Sequence, residues 1–195
     1  MHSLSSGNDG PPQMGSTAEL WQLYKRALVV QPVRTKAFTA AAIAALGELM
    51  GTQLRKGGPG NGRARLRRLW AFTIYGLANG PFFHWWFGVV ERLGARVSSR
   101  TGGRHVVAFK VALDRLLMTP PFLVATLVSL QWLQTFQLRL SLRHARTVYW
   151  GALVLNWKLW TVAQLINFNY VPIEFRPLFG NCVAFWWNMY LSLQN

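Results

Sequence analysis

Five residues could carry polar chemistry into, or to the edge of, the apolar stretches of this 195-residue chain: Glu48, His84, Asp114, Gln164 and Asn167. Carboxylates, an imidazole and amides offer donors and acceptors to a permeating solute, which is what the wall of a narrow aqueous passage needs. An ionised group inside a bilayer costs a few kcal/mol unless it is paired or wet, so such groups mark function or tight pairing. For Glu48 two readings stand: headgroup depth beside Arg55, or a polar path facing His84 or Asp114 with a basic partner. For His84 a hydrogen bond to a neighbouring helix is the commoner role, ahead of titration or metal binding. Gln164 and Asn167, three apart on one helical side, are read either as interhelical hydrogen-bonding groups or as a passage lining.

Other chemistry finds little support. The four histidines, at 2, 84, 105 and 144, lack ligand spacing such as HxxxH, and Cys182 is alone, so no metal, cofactor or redox pair is expected. A nucleophile elbow and a phosphate-cradling glycine loop are absent too, and the expectation is a protein that is not an enzyme.

The elements that must position these residues are helices. Lys and Arg number 21 against 6 Asp and Glu, a net charge of +15, yet charge is excluded from long blocks. Ala37 to Leu54 holds Glu48 alone, while Leu69 to Val90 and Leu116 to Leu138, 22 and 23 residues, hold none. Twenty-two helical residues cover about 33 Å, against a hydrocarbon core of roughly 30 Å. Thr147 to Val171 and Leu178 to Gln194 are also apolar enough to enter a membrane, the first carrying Lys158 and the second near the lower length limit. The basic residues cap these runs, as residues at headgroup depth do, which argues against a nucleic-acid-binding surface despite the charge.

The small residues Ala40, Ala44, Gly47 and Gly51 recur on one helical side, and Gly76 with Gly80 forms a second small seam, so both are expected at helix contacts. Pro81 should kink its helix. Trp70 and Tyr75 near one end of that run, with Trp85 and Trp86 near the other, suit two membrane interfaces. Residues 55–68, 91–115 and 139–146 read as polar, basic connections, with a helix starting near His105.

Residues 1–16 are expected to be a flexible tail, and residues 17–195 a single membrane-embedded helical domain. Ser16 and Glu19 form a capping box opening a short amphipathic helix over 17–30, which Pro32 stops and which should lie at the interface. The fold class is therefore all-α: an integral membrane bundle of about four spanning helices plus that interfacial helix. Alternating sides would hold ten and nine basic residues, so charge does not orient the chain.

Trp21, Tyr24, Leu28, Pro32-Val33, Thr35-Lys36, Gly47-Glu48 and Gln53 resemble the opening of the Mpv-seventeen/22-kilodalton peroxisomal membrane protein family. Arg68, Gly76, Gly80-Pro81, His84 and Trp86-Phe87 are similar to its second-helix signature, and Lys110, Asp114 and Pro120 to its next block. Trp157, Trp160, Gln164, Asn167-Phe168, Val171-Pro172, Arg176 and Trp187-Asn188-x-Tyr190-Leu191-Ser192 complete the likeness from Trp21 to Ser192. Departures are Glu48, Arg115, Phe87 and Thr161 where the family has Asp, Gln, Tyr and Pro. The added charge of Arg115 touches any pore property tied to that position.

The resemblance implies a small protein of about four spans in a mitochondrial inner or peroxisomal membrane, associated with pore activity for small solutes and with organelle homeostasis. The alternative is an accessory or scaffold subunit of a larger membrane complex. Expected partners are the bilayer, anionic lipid through the basic loops, and either further copies or a larger complex, with no nucleic acid. The inner mitochondrial membrane is favoured, the peroxisomal membrane next, and a plastid membrane stays open.

Overall fold

The computed structural model describes residues 17–55, 61–101, 105–171 and 176–194, which are helical apart from short turns, with no strand among them. In order come α1 (Thr17–Val30), α2 (Pro32–Leu54), α3 (Gly62–Thr101), α4 (Val106–Ala112), a π-helical turn (Leu113–Met118), α5 (Thr119–Thr135), α6 (Leu138–Tyr170) and α7 (Arg176–Gln194). The tail expected over residues 1–16 lies outside the described residues.

Local chemistry sets the boundaries. Pro32 closes α1 and opens α2, where its fixed φ and missing N–H suit the first turn. Pro120 and Pro121 bring no N–H to the carbonyls of Leu116 and Leu117. The helix widens to π just before them, with the Thr119 N–H bonding back to the Asp114 carbonyl. Phe136 ends α5 in the left-handed region, φ 55°, with its N–H on the Trp132 carbonyl at 2.7 Å. Pro81 stands inside α3, which runs on through it for 40 residues.

The basic stretches expected as connections are in large part helical. Residues 62–68 and 91–101 belong to α3, and 139–146 to α6. The reason is propensity: Arg and Lys are good helix formers, so a helix continues past the point where its apolar run stops. Thr147–Val171 and Leu178–Gln194, both expected to be apolar enough to enter a membrane, fall in α6 and α7, which pack into the bundle. Length and composition alone pick out Pro32–Leu54 and Ala108–Thr135 as candidate spans, against about four expected. In α3 and α6 the apolar runs are diluted by Gly, Asn, Tyr, His and Trp.

Five helices close a ring, with α2 against α3, α3 against α5, α5 against α6, α6 against α7, and α7 back against α2. Helices α2 and α3 run antiparallel, Gly80 meeting Ala37 and Gly76 meeting Ala40 and Ala41. Helices α2 and α7 run parallel, Gly47 meeting Asn188 and Gly51 meeting Ser192. Side chains from all five helices fill the axis, among them Ala44, Phe72, Leu127, Leu130, Leu153 and Leu191. The outer faces also expose large apolar residues on every helix, such as Phe38, Trp85, Leu117, Trp150 and Trp186, the distribution of a bundle solvated by lipid.

The aromatic pairs divide. Trp70 and Trp85 point outward, 59% and 57% exposed, about 22 Å apart along α3. That separation suits two membrane interfaces, whereas Tyr75 and Trp86 turn inward, Tyr75 into a hydroxyl–hydroxyl hydrogen bond with Thr126 and Trp86 donating to Asp114.

The glycine contacts set a prediction. A Cβ on Gly80 would collide with the backbone of Ala37, whereas one on Gly88 meets nothing within 4 Å. Gly80→Ala should lower the thermal midpoint in detergent, an overpacking cost of about 1–3 kcal/mol outweighing a helix-propensity gain of about 1 kcal/mol. Gly88→Ala should keep only that gain and hold or raise the midpoint. Matching behaviour of the two variants would contradict the close α2–α3 approach.

Candidate functional site

The titratable and polar residues gather into two belts at opposite ends of the ring. The first belongs to α2, α3 and α7. With no side chains at Gly47 and Gly51, α7 reaches the α2 backbone, the Asn188 Cβ lying 2.6 Å from where a Cβ of Gly47 would sit. Glu48 is sealed beneath that contact at 1% exposure. One turn on, the Thr52 hydroxyl donates to Glu48 Oε1 at 2.6 Å, and Arg68 Nε on α3 stands 3.3 Å from the same oxygen. The second oxygen, Oε2, is buried without a hydrogen-bond partner among the described residues.

At the end of α2 the Arg55 guanidinium donates to the carbonyl of Ser192, with the Ser192 hydroxyl at 3.4 Å from Nη2, tying α2 to α7. Burial first, then the neighbouring Arg68 charge, push the Arg55 pKa below its ordinary value, while Glu48 pulls it up.

The second belt joins α3, the π turn and α6. Trp86 Nε1 donates to Asp114 Oδ1 at 2.9 Å, and Arg115 Nε stands 3.7 Å from Asp114 Oδ2. Trp157 Nε1 donates to the Arg115 carbonyl at 3.0 Å. Further out on the same side Lys110 pairs with Glu91 at 2.5 Å, and Lys36 Nζ lies 3.4 Å from His84 Nδ1.

The expected meeting of Glu48 with His84 or Asp114 does not occur. His84 lies against Lys36, twelve residues and about 18 Å along α2 from Glu48, and Asp114 shares the His84 end. Gln164 is half-buried on α6, seven residues and about 10 Å beyond Trp157, further still from Glu48. The side chain of Asn167 lies outside the described residues. Between the belts runs the apolar core, interrupted by the Tyr75 hydroxyl, 3.2 Å from Thr126 Oγ1. Among the described residues no three His, Cys, Asp or Glu gather as a metal site would need.

Sequence reasoning missed Arg68 as the partner of Glu48, along with Thr52, Ser192 and the indole donors Trp86 and Trp157. A signal was present. Thr52 is four residues from Glu48, and pairing the small seams of α2 and α3 in antiparallel register carries Arg68 to the level of Glu48.

A ring of helices with apolar outer faces, and with charges paired at its two ends, defines an integral membrane helical-bundle protein. Residues 122–192 match the model of the Mpv17 / PMP22 family. The chain is similar to peroxisomal membrane protein 2 of Bos taurus, 31% identical over 173 residues, 87% of this chain and 86% of that one. It is similar to the mitochondrial inner membrane protein Mpv17 of Homo sapiens, 31% identical over 179 residues, 89% of this chain and 96% of that one. PXMP2/4 family protein 3 of Dictyostelium discoideum is 29% identical over 192 residues, covering 95% of both. The chain belongs to the Mpv17 / PMP22 family of membrane proteins. No solved structure matches it.

Two predictions rest on this geometry. Arg68→Leu strands a buried carboxylate and should cost about 3–5 kcal/mol in denaturant unfolding from micelles, while Glu48→Leu/Arg68→Leu together should recover much of that loss. Single effects that simply add would show the pair to be uncoupled.

The second concerns His144 near the head of α6, whose burial lowers its pKa from 6.5. Its neutral form is the one the fold holds, so its contribution is fully present above 6.5 and is lost as pH falls from there through the lower folded value. Unfolding midpoints of the native chain should drop over that window more steeply than those of His144→Gln. Parallel pH profiles would remove His144 as the cause.

Proposed function

We propose that the chain forms or modulates a passage for small solutes in an organellar membrane, supporting organelle homeostasis and catalysing no reaction. The observation that carries this is the Glu48–Arg68 pair: a carboxylate 1% exposed, inside an apolar helix, with one oxygen unpartnered among the described residues. Replacing such a pair by packed apolar residues is often neutral or stabilising, so packing alone gives little reason to keep it. It bridges α2 and α3 where a latch on the ring would have to sit. Phe72, Leu127 and Leu130, each fully buried, fill the axis as a hydrophobic constriction does in a closed channel. Solute passes when the latch releases and the ring loosens.

The proposal sets the protein in the mitochondrial inner membrane ahead of the peroxisomal one, with a plastid membrane open. Relatives carry names from both of the first two organelles, and the basic helix ends suit an anionic surface.

A second reading, a scaffold subunit of a larger membrane complex, is favoured by the internal satisfaction of Asp114 by Trp86, of the Arg115 carbonyl by Trp157, and of Tyr75 with Thr126. Solute efflux and single-channel conductance from proteoliposomes separate the two. The passage reading expects conductance from the native chain and a several-fold higher open fraction for Glu48→Gln, checked for intact helicity and monodispersity. Silent bilayers with both proteins correctly inserted would sink it and leave the scaffold.

A further inference from the structure

The four arginines at the head of α3 do not act alike. Arg68 turns inward to Glu48, while Arg63 and Arg67, one turn apart, stay exposed on the outer face. Below them a groove of about 350 Å³ runs between α3 and the end of α5, lined by Leu66, Trp70, Ile74, Leu133 and Phe136 under the two guanidinium groups. Two aromatic residues shape the groove. Phe136, the left-handed C-cap of α5, has its ring 68% exposed in the groove wall, edge-on to Trp132. Trp70 presents a 59% exposed indole opposite.

Dimensions and charge name the occupant. From Arg63 to Ile74 is eleven residues, about 16 Å along α3, close to the depth of one leaflet of a roughly 30 Å hydrocarbon core. Cations therefore stand at one end of a leaflet-deep apolar slot, with an indole between, the layout of a headgroup phosphate above an acyl chain. Guanidinium groups bind phosphate oxygens as planar forks. Among the described residues no carboxylate lines the groove to offset Arg63 and Arg67.

We infer that the α3–α5 groove is a binding site for one anionic phospholipid, its phosphate on Arg63 and Arg67 and an acyl chain along Trp70, Ile74, Leu133 and Phe136. The site stands on the membrane placement of the bundle and is independent of whether the chain passes solutes. A surface arginine attracts an anionic lipid severalfold over a neutral one, so two acting together give a local enrichment on the order of 20-fold.

The test uses the full chain in phosphatidylcholine vesicles that carry a minor, equal fraction of brominated phosphatidylglycerol or brominated phosphatidylcholine. The Trp70 signal is the difference in fluorescence between the native chain and Trp70→Phe. Brominated phosphatidylglycerol should quench that signal at least twice as strongly as its neutral counterpart. Arg63→Gln/Arg67→Gln should bring the two lipids level. Arg143→Gln/Arg146→Gln, which removes the same charge from the neighbouring head of α6 outside the groove, should leave the preference intact.

Equal quenching by both lipids in the native chain overturns the site. So does an equal loss of preference in the two double variants, which would mean diffuse surface attraction. Trp70 shielded from both lipids would mean that a second copy or another protein fills the groove, and would also overturn it. The four substituted arginines are exposed, so all variants are expected to fold, and circular dichroism with size exclusion checks this.

Discussion

The structure depends on how closely the backbone of α2 can be approached from two sides at once. In lipid no hydrophobic force draws one helix to another, because acyl chains are as apolar as leucine, so association rests on dispersion contacts and interhelical hydrogen bonds that need short range. The glycines of α3 bring that helix onto Ala37, Ala40 and Ala41, and the glycines of α2 bring α7 onto the same helix through Asn188 and Ser192. Helix α2 is thus the keystone of the ring. It carries the smallest side chains because it takes neighbours on two faces.

The remaining arrangement follows from that sandwich. With α2 fixed between α3 and α7, the ring closes through α5 and α6, whose larger residues, Leu123, Leu127, Leu130, Leu153 and Trp160, fill what the small ones leave. The axis is then packed with apolar side chains, and charge is accommodated where the ring ends. Each end receives a carboxylate next to an arginine, Glu48 with Arg68 and Asp114 with Arg115. Around them, hydroxyl and indole donors contribute without adding charge: Thr52 to Glu48, Trp86 to Asp114.

Much of this was legible in the sequence, and the part that was not has a physical cause. The helical class, the approximate runs and the two small seams follow from charge exclusion and from spacings of three and four, which are local properties. The extents of α3 and α6 do not, because hydropathy reports where a helix leaves lipid and says nothing about where it stops being a helix. Residues 91–101 and 139–146 are helical for that reason. Partners of the polar residues depend on the register between helices distant in sequence. Grouping Glu48 with His84 and Asp114 treated all intramembrane polar residues as one seam. The antiparallel register of α2 and α3 puts His84 at the far end, and Asn167 falls where no side chain is described.

The separation of the belts limits what any passage can be. A solute crossing inside the ring would meet a basic mouth, then the apolar packing that holds Phe72, Leu127 and Leu130, then a second basic mouth. Pairing at each end neutralises one arginine and leaves other cations at the surface, so a solute approaching either end would meet a net positive field. Bundle cohesion is concentrated in the α2 contacts with α3 and α7, while α3 and α5 draw apart at the Arg63 end to leave an outer groove. That groove and the Glu48–Arg68 pair both lie on α3, at the same end of the ring. A lipid seated there would hold the helices at a fixed spacing, coupling the composition of the surrounding leaflet to the width of the ring.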